Sequence, residues 1–157
     1  MSQPIDLNSR IVEQMYGEAL VLSDEVRAAF ALSGRIEGTG EESEDLRRIA
    51  LSSEGLRTTT RVMHAIAWLL NHRAFFMGEL SEFQLRRSGR LSPGLLGSDA
   101  QNLELLRPEI RKLVEATDRF YARLLRLDAS WRRRDVGQME AVAQVRQRVG
   151  QRPRLTD

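Results

Sequence analysis

The longest patterned apolar run lies between Leu46 and Leu80. Within it Leu56, Thr60, Met63, Ala67, Leu70, Ala74 and Met77 recur at alternating spacings of four and three, the period of one helix face. Ser53, Ile49 and Leu46 carry the seam backwards, so the spacing predicts one long helix over about 43–87, with Ser43 as its cap. Val62, Ile66, Leu69, Phe76, Leu80 and Phe83 form a second stripe beside the first, and Trp68 and Phe75 fall on the other flank. A helix apolar over more than half its circumference needs cover on several sides. Arg61, His64, Asn71, His72, Arg73 and Glu79 interrupt the run too often for a membrane span.

Two further helices follow from the same periodicity. Asn8 or Ser9 can cap a helix over about 9–32, with Ile11, Met15, Ala19, Leu22, Val26 and Phe30 inward and a stop at Ser33-Gly34. Pro108 suits the first position of another, over 108–131, with Ile110, Leu113, Thr117, Phe120, Leu124, Leu127 and Trp131 on one face. Gly38 and Gly40 mark a first connection, and Pro93, Gly94 and Gly97 a second, longer one with a short helical turn after Ser98-Asp99. Gly55 and Gly78 are the weak points of the long helix. The economical reading is an all-α protein: an antiparallel three-helix bundle over 1–131 with one long central helix. Residues 132–157, Arg-rich and sparse in apolar side chains, read as a disordered C-terminal tail.

Composition narrows the chemistry more than the fold. A chain of 157 residues fits one domain, and the absence of cysteine excludes disulfides, thiol nucleophiles and thiolate metal sites. The net charge of +2 hides an asymmetry: from Trp131 onward seven arginines face three acids, leaving 17 basic against 19 acidic side chains elsewhere. His64 and His72 stand eight apart, whereas a helical metal pair wants four and a third ligand, so neither a metal nor a cofactor is expected. No Gly-x-Ser-x-Gly elbow or Ser-x-x-Lys is present, and the acid pairs sit where capping and solvation use them, so no catalytic residue is assigned. Residues 1–10 lack the basic start and apolar run of a signal peptide, which makes the cytoplasm the expected compartment.

The arginines are the better candidates for binding. Arg73 interrupts the second stripe, so it either pairs with an acid of the first or third helix or contacts a partner. Arg57 and Arg61, one turn apart, form either a solvated edge or a binding patch. Arg132, Arg133 and Arg134 follow Trp131 and open an alternative: a small transcriptional regulator touching DNA through its Arg-rich end. The mildly acidic body and the lack of a basic recognition helix weigh against it. Counting apolar faces predicts instead a homodimer, with Trp68 and Phe75 or Phe76 at the interface.

The segment LRTTTRVMHAIAWLLNHRA, followed by Gly78-Glu79, resembles the central helix of the RcdA family, alphaproteobacterial regulators of CtrA degradation. The matching positions are Arg57, Thr59, Arg61, Met63, Ala67, Trp68, Leu69, Leu70, Arg73, Ala74, Gly78 and Glu79; Gly55 and Thr58 depart from the pattern. The resemblance implies a non-enzymatic, homodimeric adaptor in regulated proteolysis. Its implied partners are the ClpXP protease through ClpX, the response regulator CpdR, PopA, and clients such as CtrA.

Overall fold

The structure, a computed structural model, describes residues 7–33 and 42–150. The N-terminal residues 1–6, the first connection at 34–41 and the C-terminal 151–157, with Arg152 and Arg154, lie outside the described residues. Among the described residues five α-helices replace the three expected: α1 (Ser9–Ser33), α2 (Glu42–Phe76), α3 (Glu82–Ser88), α4 (Ala100–Leu105) and α5 (Pro108–Gly150). No strand occurs among the described residues.

Local chemistry explains most boundaries. Asn8 caps α1, its Oδ1 accepting from the Ile11 N–H at 3.0 Å. The long helix predicted to reach residue 87 stops at Phe76, because Gly78 adopts a left-handed φ of 79°. The Gly78 N–H donates to the Phe75 carbonyl and the Glu79 N–H to that of Ala74, which satisfies carbonyls the helix would leave open. Ser81 then restarts the chain as α3 with a reciprocal capping box to Gln84. Ser43 lies inside α2, not at its cap, since the helix already includes Glu42. Asp99 caps α4, and Pro108 opens α5.

Gly55, the other suspected break, is continuous helix with a packing role. A Cβ there would stand 2.8 Å from the Phe30 ring, so the glycine lets α1 approach α2 closely. Phe30 beside Gly55 and Glu13 beside Arg73 show α1 running antiparallel to α2. Arg61 beside Thr117, Trp68 beside Asp128 and His72 beside Trp131 show that α5 runs parallel to α2. The stretch 77–107 makes that parallel arrangement possible by returning along the groove between the two helices.

Val12, Met15 and Ala19 of α1, Ala65, Trp68 and Leu69 of α2, Leu91 of the return stretch, and Phe120, Tyr121 and Leu124 of α5 make the main core. A smaller cluster of Leu106, Ile110 and Val114 packs with Phe30, Leu51 and Leu103. The periodic faces read for α1 and α5 therefore point inward as expected. The face read for α2 does not. Ile49, Leu56, Met63, Leu70 and Met77 are 43–72% exposed, while Ala50, Glu54, Thr58, Arg61, Ala65, Trp68 and His72 are buried. At 100° per residue the two sets are on opposite sides of the helix.

Over 132–150 the expected disordered tail is corrected. The α5 helix continues without a break through Gly150, well past the last core position at Asp128. At 1.5 Å per residue the portion beyond Trp131 is about 28 Å long.

Candidate functional site: an interaction surface and the polar seam behind it

The buried face of α2 is organised around Arg61, whose side chain is fully enclosed. Its Nε donates to the Leu95 carbonyl at 2.8 Å and Nη2 to the Gly97 carbonyl at 2.8 Å. Nη1 donates to Thr117 Oγ1 at 3.0 Å and to the Val114 carbonyl at 3.4 Å. Asp118 stands 3.4 Å from Nη2 and also accepts from the Gly97 N–H at 2.7 Å. One guanidinium thus ties the return stretch to α5. Irregular backbone brought against a core needs partners for its polar groups, and a fork of five donors supplies them. Burial lowers the Arg61 pKa, while the carboxylates of Asp118 and Glu54 oppose that shift.

Two neighbours extend the seam along the return stretch. Glu54, buried, accepts through Oε1 from the Asp99 N–H at 3.3 Å. The Tyr121 hydroxyl donates to the Ser92 carbonyl at 2.9 Å, and burial raises its pKa against that hydrogen bond. Glu54 Oε2, Thr58 Oγ1 and His72 Nδ1 are buried without a hydrogen-bond partner in the structure.

Trp68 is 2% exposed and donates from Nε1 to Asp128 Oδ1 at 3.1 Å. Asp128 in turn accepts from Arg132 Nε at 3.2 Å through both oxygens. His72 lies between the Trp68 ring, 3.9 Å away, and the Trp131 ring, 5.2 Å away. Burial, reinforced by the charge of Arg132, pushes its pKa down to about 4. This neutral imidazole is packing material between two indoles.

The residues expected to meet partners therefore divide. Arg61 is interior, which corrects its reading as part of a binding patch; Arg57 is exposed and reaches the Gly97 carbonyl at 3.4 Å. Arg73 pairs with Glu13 of α1 at 2.6 Å and lies 5.2 Å from the centre of the Tyr16 ring. Arg132 is held by Asp128, and Arg133 and Arg134 are exposed on α5. Trp68 belongs to the protomer's own core, correcting its placement at a dimer interface. Phe75 is half-buried against the partly exposed Phe76, with ring centres 5.2 Å apart.

What remains open is the opposite face of α2. Ile49, Leu56, Met63, Leu70 and Met77 recur every seven residues, flanked by Leu46, Ser53, Thr60, Ala67 and Ala74 in the adjacent register. That is the spacing of a two-helix coiled-coil seam, and no helix among the described residues covers it. The seven-residue recurrence was visible in the sequence; its outward direction was not. A second open surface, on α5, carries Val136, Met139, Val142, Val145 and Val149.

The profile of a protein family of unknown function, DUF1465, matches residues 4–152, nearly the whole chain including both open surfaces. The chain belongs to this family. No curated protein and no solved structure matches it. Among the described residues no group of three or more His, Asp or Glu side chains is placed to hold a metal ion, and no helix is long and apolar enough to cross a membrane.

Proposed function

We propose that this DUF1465 protein is a non-enzymatic, homodimeric adaptor in regulated proteolysis, helping the ClpXP protease receive cell-cycle regulators such as CtrA. The observation that carries the docking half of this reading is the apolar ladder Ile49, Leu56, Met63, Leu70 and Met77, open to solvent and backed by the buried polar seam. Contiguous apolar surface of this kind marks protein contacts. The proteolytic half rests on the resemblance of Arg57–Glu79 to the RcdA family. CpdR and PopA are the further components it implies.

A second copy on the ladder is the dimer in this reading, replacing the face once assigned to Trp68. The ladder centres on Met63. An antiparallel two-fold there sets Ile49 opposite Met77, Leu56 opposite Leu70 and Met63 opposite itself. A parallel pair would instead align the acids of the α2 first turn, Glu42, Glu44 and Asp45, with their own copies.

The test is reconstituted degradation of CtrA by ClpXP with CpdR and PopA, with and without this protein. Faster degradation is the expected result; an unchanged rate with all components present overturns the proteolytic reading. A mobility shift on DNA that weakens steeply with salt, in the absence of protein partners, would favour the DNA-binding alternative through the Arg-rich end.

A further inference from the structure

We infer that the end of α5 that outruns the bundle is a docking arm for an acidic amphipathic helix of another protein, with Arg146 in the middle of its apolar stripe. This goes beyond the ladder contact and does not depend on it.

The arm presents one continuous face. Measured from Arg146 at 100° per residue, Met139, Val142, Ala143 and Val149 all fall within about 60°. Met139, Val142, Ala143 and Arg146 line a shallow hollow between Gln138 and Gln147. The same face buries Tyr121, Leu124 and Asp128 within the bundle. The chain's own α3 reaches α5 at Trp131, where the Arg86 guanidinium lies 5.6 Å from the ring centre. Beyond that point Val136, Met139, Val142, Val145 and Val149 are 53–68% exposed, so nothing among the described residues covers the arm.

Charge selects the occupant. In the bundle, Arg61, Arg73, Arg123 and Arg132 find Asp118, Glu13, Glu18 and Asp128 of the same chain. On the arm, Arg146 and Arg148 have no acid three or four residues away and no ion pair among the described residues. Over 133–150 four arginines face two acids. A guanidinium set among apolar side chains loses water when a helix covers the stripe, and a carboxylate across the contact offsets that loss. A second copy brings the same excess of arginine, so like charges meet. An anionic lipid surface carries its charge only at the headgroups, while Met139 and Val142 on either side of Arg146 would draw it toward the acyl boundary. An acidic amphipathic helix supplies both an apolar stripe and the carboxylate.

Size fits a transient contact. Val136 to Val149 spans about 20 Å, so two helices paired over this length bury well under the roughly 1,200 Å² of stable complexes. In weak contacts of this kind charge governs the choice of partner and the rate of encounter.

Because the chain has no cysteine, one introduced thiol carries an environment-sensitive dye to a chosen site. The full-length protein is labelled at Gln147→Cys, on the edge of the hollow, and separately at Leu56→Cys on the ladder. The probe is a synthetic helix of about 20 residues with one leucine stripe flanked by glutamates, beside a twin with lysines in place of the glutamates. The expected result is a fluorescence change at the Gln147→Cys dye, with the acidic helix binding roughly tenfold tighter than its twin and more weakly at high salt. Arg146→Glu, an exposed substitution outside the bundle, should reverse that preference. Equal responses to both helices, or a preference unchanged in Arg146→Glu, overturn the proposal. A response only at the Leu56→Cys dye also overturns it, by placing the helix on the ladder. A dye on the arm that answers phosphatidylglycerol vesicles and neither helix makes the arm a lipid contact instead, and silence at both dyes leaves it no docking role.

Discussion

The two faces of α2 differ in a way that separates periodicity from burial. The outward face is the more regular and the more apolar, with Ile49, Leu56, Met63, Leu70 and Met77 seven apart. The inward face carries Glu54, Thr58, Arg61 and His72 among its buried residues. Helix formation needs only that residues of one kind recur with the turn, and both faces satisfy it. Which face turns inward depends on what covers it. Here the cover includes the return stretch, whose carbonyls at Leu95 and Gly97 accept from Arg61. A polar inward face ties that stretch down; an apolar one would leave these carbonyls without a donor from α2.

The sharpest way to break the comparison is Arg61→Ala, which removes the hub of the inward face. Four hydrogen bonds and the Asp118 contact disappear and a large, fully buried side chain leaves a cavity, so the fold should lose about 3–5 kcal/mol. Arg61→Lys should recover little of it, because an ammonium cannot reproduce the guanidinium fork. Urea unfolding of the three proteins measures this, and wild-type stability in Arg61→Ala would show that the seam holds nothing.

Acid should act on the same face. His72 has a folded pKa of about 4 against an unfolded value of about 6.5, so the unfolded chain binds the proton first. Its contribution is complete above pH 6.5 and is lost as the pH falls toward 4, by on the order of 3 kcal/mol in all. Comparing unfolding midpoints at pH 7 and pH 4.5 for wild type and His72→Gln isolates this effect from the carboxylates. A pH response unchanged by the substitution would remove His72 from the account.

Gly55→Ala probes the edge of the inward face where α1 packs. The new methyl meets the Phe30 ring at 2.8 Å, so the ring must move. Despite alanine's better helix propensity, a net loss of about 1–2 kcal/mol is expected in thermal unfolding. A stabilised variant would show that Phe30 relocates freely.

The smallest effect on the fold should come from the outward face. Leu56→Gln leaves 72%-exposed surface more polar, so the unfolding free energy of the monomer should stay within about 0.5 kcal/mol. Sedimentation equilibrium should nevertheless show a weaker dimer. A large fall in monomer stability would mean that Leu56 packs within its own chain.

Much of this architecture was legible in the order of residues. Helix periods, Asn8 as a cap, Pro108 as a start and the helical turn after Asp99 all depend on neighbours within a few positions. Sequence also supplied the ladder itself and the Arg57–Glu79 segment on which the proteolytic reading rests. It marked Gly55 and Gly78 alike as weak points without telling which one ends the helix, because a left-handed glycine and a tolerated helical glycine look alike until the chain turns. Nor did it fix the direction of α2 or the fate of Trp68. Those depend on Asp128, Thr117 and the return stretch arriving 34 to 60 residues away. A helix face is a local property, whereas burial is decided by the distant groups that meet it.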